Sequence, residues 1–210
     1  FIGRHVVRAL AKRGYRVRAA VRRPDLANFL QPLGGVGQIH AVQANIRNRA
    51  SIDRAVAGSD AVVNLVGILY ESGRQRFDSV QSFGAGAIAA AAKEAGVGTM
   101  VQVSAIGSDL DTDSDYARSK AAGEAAVLKA FPAAVILRPS IVFGPEDDFF
   151  NRFGAMARFS PVLPLIGGGQ TRFQPVFVGD VAEAVARGVD GKLKPGTVYE
   201  LGGPEGRTFQ

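Results

Sequence analysis

Short apolar or alternating runs punctuate this chain at intervals that leave room for one helix between each pair, and that alternation limits the folds open to it. Tyr15–Val21 alternates apolar and basic residues, and Ile39–Val42, Ala61–Val66, Met100–Val103 and Ala134–Leu137 are compact apolar runs, the last stopped at Pro139. Between them lie stretches of helical period. Val6, Val7 and Leu10 share one face after Gly3, with Gly14 placed to end the turn; Leu26–Leu33 reads as a short helix or loop. Ile52–Ala57 follows Ser51 as N-cap, and Phe77–Ala95 and Tyr116–Phe131 are long and Ala-rich. Strands joined through crossover helices pair in parallel, so the expectation is an α/β, doubly wound parallel sheet of Rossmann type. An unbroken run such as Ala61–Val66 suits a strand covered on both faces.

Beyond Pro139 the pattern changes. Phe149–Phe159 and Asp180–Val189 (capped by Asp180) read as helices, Pro175–Val178 and Thr197–Leu201 as short strands, and Gly and Pro accumulate between them. Residues 140–210 are therefore expected to add a small C-terminal, substrate-side extension of loops over the sheet. The 210 residues read as one domain, 1–210. The chain opens on Phe1-Ile2-Gly3 without an initiating Met and stops at Gln210. Both ends are read as cut, with the first strand and part of a phosphate loop lying before Phe1. A chain of that kind is expected to bind a dinucleotide poorly as it stands.

Composition removes several classes of chemistry. No cysteine is present, which excludes disulfides and thiol catalysis, and His5 and His40 are the only histidines, so a zinc site is not expected. No apolar run reaches the roughly 20 residues of a membrane span, and no signal peptide is apparent. The net charge of +6 suits an anionic ligand, an acidic partner or an anionic surface. No basic platform interleaved with aromatics accompanies it, so nucleic acid is not an expected partner.

An anionic ligand finds a first seat at Gly3, the one glycine ahead of the first helix, because a bare backbone at a helix N-terminus lets a phosphate approach. An ordinary turn glycine would look the same. Gly34-Gly35-Val36-Gly37 precedes a strand and Gly167-Gly168-Gly169 has no helix behind it, so both fit loops. At the end of the second strand of a Rossmann unit an acid favours NAD, and an arginine accommodates the 2′-phosphate of NADP. This chain has Arg22-Arg23 there, with Asp25 the first acid. NADP(H) is the expected cofactor and NAD(H) the alternative.

Tyr116 and Lys120 are spaced i, i+4 and stack on one helical face. An ammonium beside a phenol favours the phenolate, so Tyr116 is expected below its ordinary pKa of about 10 and able to exchange a proton. A ring packed at a helix start beside a surface lysine gives the same spacing. Ser104 closes a strand and could equally satisfy a backbone group.

Taken in order, these segments resemble the short-chain dehydrogenase/reductase superfamily in its extended and atypical branches. Phe1-Ile2-Gly3 is similar to the tail of its dinucleotide fingerprint, Asn64-Leu-Val-Gly67 to the loop beside the cofactor, and Tyr116-Ala-Arg-Ser-Lys120 to its Tyr-x-x-x-Lys. Leu137–Pro145, Val178–Ala182 and Tyr199–Gly203 resemble its later elements. The nearest likeness is to the NAD(P)H-binding accessory subunit of respiratory complex I and its bacterial relatives. It rests on Asn64–Ile68, Phe77-Asp78, Val103–Gly107, Pro145–Arg152 and Phe173–Asp180.

The resemblance implies Ser104, Tyr116 and Lys120 as the catalytic set. It places the cofactor against Ile2, Gly3, Arg22, Arg23, Asn45, Ile46, Leu65, Val66, Gly67, Pro139, Ser140 and Ile141, together with Tyr116 and Lys120. Asn45 stands where the superfamily often has Asp near the adenine, and its amide can still hydrogen-bond. Two functions follow from the likeness: a subunit holding NADP(H) with little turnover, or an active oxidoreductase or nucleotide-sugar epimerase/dehydratase. Complex I or another membrane-associated assembly is the implied partner, with the chain in the cytoplasm or peripheral at the inner membrane. A homodimer through the Ala-rich helices is a further expectation. Glu146, Asp147 and Asp148 read as a solvated loop or cap, and Arg152, Arg158 and Arg172 as surface charge or an anion contact.

Overall fold

The computed structural model describes residues 1–158 and 170–208. In chain order they form α1 (Ile2–Lys12), β1 (Val17–Val21), β2 (Ile39–Gln43), α2 (Arg49–Val56), β3 (Ala61–Asn64), α3 (Phe83–Glu94), β4 (Thr99–Val103), α4 (Asp115–Ala130) and β5 (Val135–Pro139). Then follow β6 (Val142–Phe143), α5 (Phe149–Ala157), β7 (Arg172–Phe173), β8 (Val176–Phe177), α6 (Val178–Val189), β9 (Val198–Leu201) and β10 (Arg207–Thr208). The expected end of a helix at Phe159 and the glycine run 167–169 lie outside the described residues. Leu26–Leu33 resolves into two 3-10 turns, Pro24–Leu26 and Asn28–Leu33.

The main sheet is parallel in the order β3-β4-β5-β9, and β1 pairs with β2 in a second parallel block. The apolar runs explain its two covered faces. Along β4, Met100 joins a core with Ile52, Ile88 and Val127 from α2, α3 and α4, while its neighbours Val101 and Val103 join Val6, Leu10 and Val185 from α1 and α6. In β5, Ile136 faces the first set, and Val135 and Leu137 the second. Successive side chains of a strand point to opposite faces, so a continuous apolar run must be covered twice. Met100, Val101, Ile136 and Leu137 are fully buried. The doubly wound α/β expectation holds.

Three expectations are corrected. The C-terminal third does complete the wound pattern: β9 adds to the main sheet beside β5, and α6 packs on α1 beneath it. Ser51 does not cap α2. Asn48 does, accepting from the Ser51 amide at 3.2 Å, while the Ser51 hydroxyl accepts from the Asn45 amide at 2.8 Å. Asp180 lies within the first turn of α6, whose N-cap is Phe177.

Between β1 and β3 runs a cleft of about 1510 Å³, walled by Val17–Val21 on one side and Ala61–Asn64 on the other. The two blocks share no ladder hydrogen bonds.

Candidate functional site

Helix α4 positions the tyrosine and lysine. Ser114 caps it, its hydroxyl accepting from the Ala117 amide at 3.3 Å, so Tyr116 falls in the first turn and Lys120 one turn on. Lys120 is only 8% exposed, and its Nζ lies 5.9 Å from the centroid of the Tyr116 ring. Phe77 packs edge-on against the same ring at 5.9 Å between centroids.

The protonation states differ from the expectation. Burial pushes the Tyr116 phenol above its ordinary value, and burial pulls the Lys120 ammonium down to about 8, against a smaller raising effect of Glu124. Desolvation disfavours the charged form of each group, and it dominates here. The Lys120 ammonium is measured against the face of the Tyr116 ring, so the spacing that brings the pair together does not by itself produce a phenolate.

Ser104 follows β4 directly and is buried. Its amide donates to the Leu137 carbonyl at 2.7 Å, and its hydroxyl shares a 3.2 Å hydrogen bond with Ser108. Ser108 donates its own proton to the Ala105 carbonyl at 2.7 Å, so Ser104 must be the donor between them. The Ser104 lone pairs then remain to accept. Among the described residues no hydrogen bond links Ser104 to Tyr116.

The cleft brings together Gly3, Arg22, Arg23, Asn45, Ile46, Leu65, Val66 and Gly67. Ile2 and residues 139–141 are not among the residues that line it. Ile2 packs into the core shared by α1 and α6 instead of lining the cleft. Pro139 ends β5 and Ser140 and Ile141 follow it, with the Ser140 amide donating to the Leu201 carbonyl at 2.8 Å and the Ile141 carbonyl accepting from the Val176 amide at 2.9 Å. Arg23 is committed to Asp25 through two hydrogen bonds of 3.0 and 2.7 Å.

The two halves meet at Gly67. A methyl group there would sit 3.0 Å from Lys120 Nζ and 3.6 Å from Gln81 Oε1. Gln81 is a residue the sequence reading passed over. The stretch read as one helix from Phe77 begins with a π turn, Asp78–Ser82, which carries Gln81 inward. Its Nε2 donates to Ile68 O at 3.3 Å and Ser119 Oγ at 3.2 Å, while Oε1 is buried without a partner. Two glycines three and five residues later were the only hint of an irregular, closely packed helix. Asn64, expected only as the start of the loop beside the cofactor, donates to Gln102 at 2.8 Å and accepts from the Val66 amide at 3.0 Å, setting the loop that leads to Gly67. Of the acid cluster, Asp147 is buried and caps α5, accepting from the Phe150 amide at 2.6 Å. Glu146 pairs with Arg4 on α1. Arg158 and Arg172 are exposed.

A sheet covered by helices on both faces, with a cleft between β1 and β3 that reaches the loop to Gly67 and a tyrosine–lysine helix beside that loop, defines a nucleotide-binding α/β protein of the doubly wound class. The chain belongs to the NAD dependent epimerase/dehydratase family, whose model matches residues 1–202. It is 38% identical over 208 residues to NADH dehydrogenase (ubiquinone) 1 alpha subcomplex subunit 9, mitochondrial, of Arabidopsis thaliana, covering 98% of this chain and 52% of that protein. A ceramide reductase of Caulobacter vibrioides is 36% identical over 166 residues, 79% of this chain and 51% of the relative. The chain thus spans about half the length of these curated relatives. Among solved structures, UDP-glucuronic acid 4-epimerase from Bacillus cereus in complex with NAD superposes with a TM-score of 0.82 at 20% identity, covering 100% of this chain and 76% of that one. That likeness concerns the fold.

The residues present fit a dinucleotide. Lys120 is a buried ammonium with no salt bridge among the described residues, and the backbone of Gly67 lies bare beside it. A buried cation without a carboxylate is costly unless a polar ligand supplies hydrogen bonds.

Proposed function

We propose that this chain holds NAD(P)(H) at the C-terminal ends of its strands and does so chiefly as a bound cofactor with little turnover, in the manner of a complex I accessory subunit. One domain would carry the site, residues 140–210 supplying its substrate side. The observation that carries the reading is the unpaired, buried Lys120 beside Gly67 and Gln81. Hydroxyls of a nicotinamide ribose would satisfy both the ammonium and the orphaned Gln81 carbonyl. Gly3, Asn45, Ile46, Leu65 and Val66 would flank the rest of the nucleotide. The cofactor would supply hydride chemistry when bound. NADP(H) is favoured over NAD(H) because arginines rather than acids stand at the end of β1. The similarity to mitochondrial subunit 9 supports complex I as partner and a peripheral place at the inner membrane.

An active oxidoreductase or nucleotide-sugar epimerase/dehydratase is the second reading. It is favoured by Ser104, buried with lone pairs left to accept, at the end of the strand next to β5. There Tyr116 would exchange the proton of a substrate hydroxyl or carbonyl, Lys120 would hold the ribose, and Ser104 would position the substrate oxygen.

Calorimetric titration of the full-length protein with NADPH and NADH, followed by absorbance at the reduced-nicotinamide band across carbonyl and nucleotide-sugar substrates, separates the two. Binding without absorbance change is expected. Turnover that Tyr116→Phe abolishes would establish the second reading, and failure to bind either dinucleotide would overturn both.

A further inference from the structure

Among the arginines that line the cleft, Arg18, Arg22, Arg23 and Arg47 divide by their partners into two kinds. Arg18 donates to the carbonyls of Ala55 and Ala57 at 2.9 and 2.7 Å, tying β1 to the end of α2, and Arg23 is neutralised by Asp25. Arg22 and Arg47 are different. Arg22 Nη1 donates to Gln75 Oε1 at 3.1 Å, and Arg47 Nη1 donates to the neighbouring Arg74 carbonyl at 3.2 Å. The two guanidiniums arrive from separate elements, the end of β1 and the turn after β2, and converge on one two-residue stretch.

That stretch belongs to a tight turn closed by the reciprocal backbone bonds of Ser72 and Gln75, 3.1 and 2.9 Å long. Among the described residues no carboxylate pairs with Arg22, Arg47 or Arg74. The nearest acid in the turn, Glu71, is paired with Arg76 and accepts from the Phe77 amide at 2.8 Å. Like charges brought together on neutral acceptors repel unless an anion joins them, and planar guanidinium forks match phosphate oxygens bidentately.

We infer that Arg22 and Arg47, held by the Arg74–Gln75 turn, form the seat of a phosphomonoester on the adenine ribose, and that Arg47 rather than Arg23 sets preference for the phosphorylated dinucleotide. This rests on the dinucleotide reading above and assigns its selectivity to a residue outside the β1 pair. Gln75 is a positioning residue: its amide oxygen holds the Arg22 fork without cancelling its charge.

The test compares NADPH, NADH, adenosine 2′-monophosphate and adenosine 5′-monophosphate by calorimetry on the full-length wild-type protein and on its Arg47→Gln, Arg47→Lys, Arg23→Gln and Gln75→Ala variants. Circular dichroism confirms that each variant is folded; all these side chains are at or near the surface. Loss of one charge-assisted contact should weaken NADPH and adenosine 2′-monophosphate about 10- to 100-fold in Arg47→Gln, with NADH unchanged within about twofold. Arg47→Lys should recover part of the loss, Gln75→Ala should fall between it and wild type, and Arg23→Gln should change nothing. Equal weakening of NADPH and NADH in Arg47→Gln, no weakening of either, or a selective loss in Arg23→Gln would each overturn the assignment. Wild-type binding of both dinucleotides with equal affinity would overturn it too while leaving the dinucleotide reading standing. Binding of neither would remove that reading itself.

Discussion

An ammonium in the interior is a stability statement as well as a site. Lys120 has its pKa drawn down to about 8 from 10.5 by burial. Below about pH 8 the lysine is charged in both folded and unfolded chains, and the folded chain bears the whole desolvation cost. Between about 8 and 10.5 the folded chain has released the proton and the unfolded one retains it, so stability rises with pH across that window. Lys120→Met, which keeps the aliphatic stem, should therefore stabilise the ligand-free chain at pH 7 by about 3 kcal/mol and flatten the rise. Urea denaturation at pH 7, 8.5 and 10 checks it; a wild-type stability that does not rise over that range would count against the buried-ammonium account. The same substitution should abolish dinucleotide binding, stability and function moving in opposite directions. Position and state were unequally legible here. The i, i+4 spacing located Tyr116 and Lys120 on one face, but how deep that face lies depends on Phe77 and on the loop reaching Gly67, contacts that no local spacing encodes.

At the scale of the element, α4 is held by a contact that leaves no room for a side chain. A Cβ on Gly123 would fall 2.1 Å from the Gln81 carbonyl oxygen, which belongs to the π turn. Helix propensity alone favours Gly123→Ala by about 1 kcal/mol. The overlap is with backbone, and overpacking of that kind costs about 1–3 kcal/mol or more, so the net effect should be destabilising. It should also displace Gln81 from Lys120 and weaken dinucleotide binding by more than the stability loss explains. Thermal melts paired with titrations test this; a variant more stable than wild type would show the helices are free to separate. The next residue, Glu124, takes Arg138 of β5 in a two-pronged pair at 2.9 and 2.7 Å, and Arg138 also reaches Glu200 of β9 at 3.7 Å. Glu124→Gln should cost about 1–2 kcal/mol, because it removes the charge from a part-buried pair while Arg138 keeps Glu200. Neither device was visible beforehand. Ala-rich periodicity announced two helices, while their approach distance is a tertiary fact. The misread caps have the same origin: Ser51 and Asp180 are favourable N-cap types, yet each helix began upstream, where Asn48 and Phe177 met the incoming chain.

For the molecule as a whole, alternation of strand and helix was enough to foresee two-sided burial, since Met100 and Val101 must part to opposite faces in any parallel strand. The place of β9 was not foreseen. Gly and Pro around it looked like loop, but Ile136–Pro139 offers a second ladder edge, and Val198–Leu201 pairs with it residue for residue. The resulting sheet is uneven in its hydrogen bonding. β4 is laddered on both sides by β3 and β5, whereas β1 is laddered only by β2 and faces the cleft with its other edge, as β3 does. Local opening is governed by how many such bonds and buried contacts must break together. Amides of β4 should therefore exchange only through global unfolding, and those of β1 through a smaller opening that leaves β3-β4-β5-β9 intact. Hydrogen exchange followed by mass spectrometry should show peptides covering Val17–Val21 labelling well before those covering Thr99–Val103. A saturating dinucleotide, bridging β1 through Arg22 and β3 through the loop to Gly67, should narrow that gap by slowing the β1 side far more than β4. If β1 and β4 exchange at the same rate without ligand, the sheet opens as one unit. The cleft would then divide it in geometry but not in energy.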